Sequence, residues 1–374
     1  MKKAVLAIED GTVFEGLSFG SEGEAFGEVV FNTSLTGYQE IITDPSYNGQ
    51  IIVMTYPEIG NYGINLEDIE SRKPFAKGLA VKEYWPLPSN WRSTQTLDEF
   101  MKDNNIVGIH GIDTRFLTKQ IRTSGAQKCV ISTIDSNKES LLSKIKNSPD
   151  IIGKDLVTEV SCKKPYSWDK GTEQWTPSND TYTPTKSYKV VAYDFGIKTN
   201  ILRRLTDLGC DLTVVPSNTS PDDVLALNPD GIFLSNGPGD PEGVGYAIEN
   251  VKELLGKKPI FGICLGHQII SIALGGITYK LKFGHRGGNQ PVKNHRTGKV
   301  EITSQNHSFA VDPDSLDKNI EITHVNLNDQ TVEGLRHREH PIFSVQYHPE
   351  SSPGPHDSSY LFNDFIELME NFKN

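Results

Sequence analysis

Cysteine is scarce in this chain: Cys129, Cys162, Cys210 and Cys264 are the only four in 374 residues, widely separated and without a CxxC pair. So few, so spread, exclude a disulfide framework and point to a reducing cytoplasm, where a thiol stays a thiol. Long apolar runs are missing too. No stretch approaches the roughly 20 residues a membrane helix needs. The opening residues 1–10 carry two lysines, a short apolar run and then acid, which is too little for a signal peptide and reads as a first strand. No membrane is expected as a partner. Basic charge is in deficit, with 37 Lys+Arg against 48 Asp+Glu and a formal net charge of −11. Without a basic run to meet phosphates, nucleic acid is not expected either. No segment matches GxxxxGK[ST], and no histidine/carboxylate group has metal-ligand spacing, so no ATP site, metal or other cofactor is expected in this chain.

What is present is the composition of a folded soluble protein, 36% hydrophobic and 9% aromatic, in a length that exceeds what one core usually organises. Composition shifts between residues 161 and 187, where prolines and the tryptophans Trp168 and Trp175 sit among polar residues with no apolar period. This reads as a connector between a domain at 1–160 and another at 188–374, with its tryptophans packed on a surface. The first part mixes strand-like runs (4–8, 28–31, 50–55, 78–81) with helical patterns (97–104, 115–122) and is expected to be a smaller α/β domain. The second alternates more cleanly: strand 189–193, helix 199–208, strands 212–215 and 231–234, helix 246–255, strand 260–263. That alternation predicts an open, mostly parallel sheet flanked by helices, whose ligands gather at the carboxyl ends of strands.

At one such end stands Gly262-Ile263-Cys264-Leu265-Gly266, an apolar strand turning at once into a helix around a cysteine. The pattern is that of a nucleophile elbow, with small neighbours where a Cβ would collide. The pentapeptide alone fits a buried structural cysteine equally well. Attack requires the thiolate, which the amino-terminal end of the following helix favours and a histidine should complete. Of ten histidines, His267 lies in the elbow's own helix, His285 and His295 in a glycine-rich region read as loop, and His337 and His340 beside a charged turn. His348 follows the strand pattern 341–347, with Glu350 two residues on, placed as the orienting carboxylate of a triad would be. A solvated His-Pro-Glu turn fits the same residues. Loop 235–241, Ser-Asn-Gly-Pro-Gly-Asp-Pro, could present backbone N–H groups to an oxyanion together with that of Leu265, or be a plain surface turn.

Taken together, Gly-Ile-Cys-Leu-Gly-His-Gln at 262–268, the upstream loop at 235–241 and Gln-Tyr-His-Pro-Glu at 346–350, in that order, resemble the class I glutamine amidotransferase family. In the first half, residues 31–40, 43–47, 55–61 and 111–115 resemble the amino-terminal domain of the carbamoyl-phosphate synthase small-chain family, as do 194–201 and 284–292 further on. The resemblance covers nearly the whole chain. It implies a triad of Cys264 as nucleophile, His348 as general base and acid, and Glu350 as its orienting group. It implies an L-glutamine site of Ser46, Gly237, Gly239, Leu265, Gln268, Asn306, Ser308 and Phe309. Read without the family pattern, Ser46, Gln268 and Asn306 would be a turn, a helix surface and a strand edge. Many relatives carry glycine where Ser308 stands; a backbone contact would tolerate serine, whereas a positive φ would strain it.

The implied activity is glutamine hydrolysis through a glutamyl thioester. Ammonia would pass to a large chain, contacted largely through the first domain, that uses ATP, Mg and bicarbonate to make carbamoyl phosphate for pyrimidine and/or arginine synthesis. A cytoplasmic location is expected. Two other readings compete: an amidotransferase subunit serving guanylate or anthranilate synthesis, which would not need the first-domain motifs, and a non-catalytic regulatory subunit, which would tend to have lost the cysteine or the histidine.

Overall fold

A computed structural model of the chain describes residues 2–172 and 186–373. The chain divides into two units, Met1–Ile152 and Gly153–Asn374. No helix among the described residues is long and apolar enough to cross a membrane.

The first unit is built on a closed barrel of seven strands, in the order Lys3–Ile8, Val13–Gly20, Val107–His110, Gly78–Ala80, Gln50–Met54, Glu24–Asn32 and Gln127–Ser132, which returns to the first. Both parallel and antiparallel pairs occur in it. The expected strands and helices are there, but closure was not foreseen. It depends on the antiparallel pairing of Gln127–Ser132 with Lys3–Ile8 and with Glu24–Asn32, both far away in sequence. Helices Leu97–Asp103 and Thr114–Ser124 each start on a side chain that satisfies an orphan amide, Thr96 with Glu99 in a reciprocal box and Asp113 on Phe116 N–H.

The second unit is organised on a ten-stranded sheet. Its centre is parallel: Cys210–Pro216, Tyr188–Asp194, Gly231–Leu234, Ile260–Ile263 and Ile342–Val345 lie side by side. Alternate residues feed opposite faces. Val190, Ala192, Phe233 and Phe261 pack with Phe362 and Phe365 of helix Leu361–Lys373, while Val191, Tyr193, Ile232 and Ile260 pack with helices Gly245–Leu254 and Leu265–Ala273.

Beyond that centre the mostly parallel expectation fails. Val332–His337, Ile320–Asn326, Thr278–Asn294 and Val300–Val311 continue the sheet entirely antiparallel, and Tyr166–Trp168 adds an antiparallel strand at the other edge. The cause is connection length. The links at 295–299, 327–331 and 338–341 are four or five residues, enough for a hairpin and far too few for a parallel crossover. The glycine-rich region around His285 is likewise no loop but part of the 17-residue strand Thr278–Asn294, bent by register shifts between Lys280 and His285 and between Gly287 and Gln290. The expected connector supplies the edge strand, and Trp168 packs on the unit's core with its ring N–H donating to Lys170 O at 2.7 Å. Trp175 lies outside the described residues.

Candidate functional site

Two glycines set the geometry at residue 264. Strand Ile260–Ile263 ends at Cys264, which has φ 54° and ψ −102°, and helix Leu265–Ala273 starts at the next residue. A Cβ on Gly262 would sit 2.6 Å from Ile270 Cδ1, and one on Gly266 would sit 2.3 Å from the Leu234 carbonyl oxygen. Strand and helix therefore meet backbone to backbone, and only glycine lets them. The cysteine's left-handed φ costs about 1–3 kcal/mol, a cost of the kind that clusters at functional positions.

This contact makes a sharp prediction. In an open helix Gly→Ala would gain about 1 kcal/mol from propensity. For Gly266→Ala the methyl must displace the backbone of Gly231–Leu234, at the upper end of the about 1–3 kcal/mol that overpacking costs. A net loss of stability in urea unfolding is expected. An unchanged midpoint would mean that the two elements have room to part.

The Cys264 side chain is 2% exposed. Its sulfur lies 3.6 Å from Asn306 O and 3.7 Å from Gln346 Nε2. Gln268, expected on a helix surface by its position alone, is buried instead, and its amide donates at 3.0 Å to both Phe309 O and Gln346 Oε1. Asn306, Ser308 and Phe309 all belong to the edge strand Val300–Val311, and Ser308 is not among the residues with positive φ. The strain raised for serine there does not arise, and its hydroxyl accepts from Arg286 Nη2.

His348 emerges three residues past strand Ile342–Val345, anchored by its N–H donating to Ser304 O at 2.8 Å. The ring is buried, with Nδ1 2.6 Å from Glu350 Oε1, while Nε2 has no hydrogen-bond partner among the described residues. The turn is thus not solvated. Burial alone would push the imidazole's pKa down, but the Glu350 carboxylate and the Cys264 side chain together carry it well above the ordinary histidine value. Glu350 shows the opposite balance: burial would raise it, but Lys198 and His348 hold it well below the usual carboxylate range. Lys198 Nζ is 3.0 Å from Glu350 Oε1, and both side chains are almost wholly buried. His267 is of a different kind. Its Nδ1 meets Ser344 Oγ at 2.9 Å, and burial lowers its pKa to about 3, so it stays neutral at physiological pH.

Loop 235–241 is pinned against the segment after strand Tyr188–Asp194. Ser235 Oγ accepts from Phe195 N–H at 2.9 Å, Asn236 Oδ1 accepts from Lys198 N–H at 3.1 Å, and a Cβ on Gly237 would strike Phe195 O at 2.2 Å. Gly239 has φ 90°. The loop is held, not a free surface turn. Of the remaining expected residues, Leu265 opens the helix after Cys264, and Ser46 belongs to the first unit, buried in the turn Pro45–Tyr47 with its N–H donating to Asp44 Oδ1 at 2.8 Å.

The structure thus gathers Cys264, Gln268, Asn306, Phe309, His348 and Glu350, and it adds two residues to which the sequence reading gave no role. Lys198 stands in Asp-Phe-Gly-Ile-Lys-Thr-Asn-Ile and Gln346 opens Gln-Tyr-His-Pro-Glu, so both were marked by motif membership and by nothing else. The arrangement offers one nucleophilic sulfur, one imidazole that carries a proton, and a buried ion pair behind it.

Comparison with known proteins gives two family matches in succession. Residues 6–131 match "Carbamoyl-phosphate synthase small chain, CPSase domain", and residues 191–368 match "Glutamine amidotransferase class-I". A carbamoyl phosphate synthase small chain of Syntrophotalea carbinolica is 62% identical over 98% of both chains. One of Aquifex aeolicus is 56% identical over 99% of both. A relative of Arabidopsis thaliana, named as the chloroplastic small chain, is 53% identical over 99% of this chain and 86% of its own length.

Proposed function

Because the chain belongs to the carbamoyl phosphate synthase small-chain family, with a class-I glutamine amidotransferase domain as the glutaminase component, we propose that Cys264, His348 and Glu350 are the triad that hydrolyses L-glutamine. The bend at residue 264 acts as a nucleophile elbow. The Cys264 thiolate attacks the side-chain amide carbon, and the oxyanion forms against the N–H of Leu265 and those of the loop at Gly237 and Gly239. His348 gives its proton to departing ammonia, leaving a glutamyl thioester. It then takes a proton from water, which adds to the thioester carbon and releases glutamate and the thiolate. Gln268, Asn306, Ser308 and Phe309 hold the substrate.

The observation that carries this reading is the buried His348–Glu350 pair: Nδ1 is bound to a carboxylate at 2.6 Å and Nε2 is without a hydrogen-bond partner among the described residues, on a ring whose proton affinity Glu350 and Cys264 raise against its burial. That is the orientation a triad histidine needs, with the carboxylate fixing the tautomer and stabilising the imidazolium. A match to the small-chain domain over residues 6–131 weighs against guanylate or anthranilate synthesis, and retention of cysteine and histidine against a non-catalytic subunit. The ammonia goes to a large chain that holds ATP, Mg and bicarbonate, and the product feeds pyrimidine or arginine synthesis.

The test is covalent. A diazoketone analogue of glutamine should add one mass equivalent to Cys264 of the assembled complex, located by peptide mass spectrometry, and glutamine should protect. Label on another residue, or none, would overturn the assignment of the nucleophile. His348→Asn should lower kcat by about 10²–10⁴-fold with little change in KM, since general acid–base help is lost and ground-state contacts stay. A change confined to KM would remove His348 from the chemistry.

A further inference from the structure

Three polar side chains meet inside the second unit from strands that no sequence spacing connects. His285 and His307 face each other across the paired strands Thr278–Asn294 and Val300–Val311, and Glu333 comes from Val332–His337. One ligand-capable atom from each lies within 4.8 Å of the others, and all three residues are buried. Glu333 Oε1 is 3.6 Å from His285 Nδ1 and 4.0 Å from His307 Nε2, too far for hydrogen bonds in either case. Among the described residues, His285 Nδ1 and Glu333 Oε2 have no hydrogen-bond partner. Buried polar atoms left in that state are costly, and two of them at one point need a reason.

The outer nitrogens supply one. His285 Nε2 lies 2.8 Å from the Asp329 carboxylate, and His307 Nδ1 lies 2.8 Å from the Phe309 carbonyl. Each therefore carries a proton on the side away from Glu333, and His285 Nδ1 and His307 Nε2 are the nitrogens turned inward; at His285, where Asp329 and Glu333 favour the imidazolium against its burial, a metal ion would take the place of the second proton. Metal-bound imidazoles are fixed in this way, by a carboxylate or a backbone carbonyl on the far nitrogen.

Gln305 sharpens the point. Thr303 Oγ1 donates to Gln290 O, so it accepts from Gln305 Nε2 at 3.2 Å, and the Gln305 side-chain oxygen is left 3.2 Å from His307 Nε2. Neither neutral tautomer of His307 can donate both to Gln305 and to Phe309. A cation at Nε2 removes the conflict and gains Gln305 as an oxygen ligand.

We propose that His285 Nδ1, His307 Nε2 and the Glu333 carboxylate bind one divalent transition-metal ion of the zinc class, with the Gln305 side-chain oxygen beside them as a fourth donor. Two imidazoles, a carboxylate and an amide oxygen suit zinc or cobalt rather than magnesium or calcium. A tetrahedral ion with ligands about 2.0–2.1 Å away separates its donors by about 3.3–3.4 Å, so the side chains close in modestly on loading. The ion ties three strands together one residue from Asn306, whose carbonyl touches the Cys264 sulfur. It stands apart from the Cys264–His348–Glu350 chemistry.

The full chain, stripped with a chelator and desalted, is titrated with cobalt(II) and, separately, with zinc(II). The expected result is one cobalt per chain with visible d–d absorption, and a thermal midpoint that rises with zinc. Cys264→Ser should bind equally, which excludes the thiol as the ligand. Glu333→Gln should lose the stoichiometric absorption. Asp329→Asn, a change on a partly exposed residue that leaves the core intact, should weaken affinity about 10–100-fold, as loss of a histidine's outer partner does. Absence of stoichiometric binding in the wild type, binding unchanged in Asp329→Asn, or ¹⁵N spectra of the stripped and zinc-treated chain that both show His285 and His307 protonated on both nitrogens, would overturn the proposal.

Discussion

Serine at position 264 is expected to abolish glutamine-dependent carbamoyl phosphate synthesis by the reconstituted complex, by on the order of 10⁴-fold or more, while ammonia-dependent synthesis continues at the wild-type rate. A hydroxyl is nearly the size of the thiol and fits the same site, so the change tests chemistry more than packing. Cys264 is buried in the core cluster of the central sheet, which is why a purely structural role must be tested against the catalytic one. The two roles differ in what they spare. A nucleophile that only liberates ammonia is dispensable when ammonia is added, whereas a structural cysteine would fail in both assays. Measuring carbamoyl phosphate made from glutamine and from added ammonia separates them, and equal loss of both would sink the catalytic reading.

Local pattern carried the parts of this protein that are local. Strand 260–263, the cysteine at the turn and the helix after it were legible because apolar strand residues, two small residues and a helical run are contiguous. The carboxylate beside His348 was legible because it lies two residues away. What escaped depends on residues far apart. The antiparallel half of the large sheet follows from short links, but glycines at 284, 287 and 288 disguised its longest strand as a loop. Barrel closure in the first unit rests on pairings that no periodicity announces. Gln268 looks like a helix-surface residue until strand Val300–Val311 is laid across it, and the meeting of His285, His307 and Glu333 has no linear signature.

Lys198 is where the same limit has the largest energetic consequence. Its ammonium is buried against Glu350, 152 residues away in sequence, and Glu350 is in turn the partner of His348. Lys198→Met should cost about 3–5 kcal/mol, because the methionine fills the space but leaves a buried carboxylate with less to offset it. The sign of its pH dependence follows from Glu350. Its pKa is held below the unfolded value, chiefly by Lys198 once burial has been overcome, so this stabilisation is present above the ordinary glutamate range and is lost as pH falls through the folded-state value. The gap between wild type and Lys198→Met should therefore be full at pH 7 and narrow in acid, read by urea unfolding across pH. A second variant keeps the argument testable. Removing both charges, as Lys198→Met with Glu350→Gln, should recover more than half of the lost stability, since no unpaired carboxylate remains. The double variant should still lack glutaminase activity, because His348 has lost the group that holds its tautomer and stabilises its cation. Were the single and double variants equally unstable, the lysine would be contributing through packing, and the charge couple behind His348 would lose its place in the account.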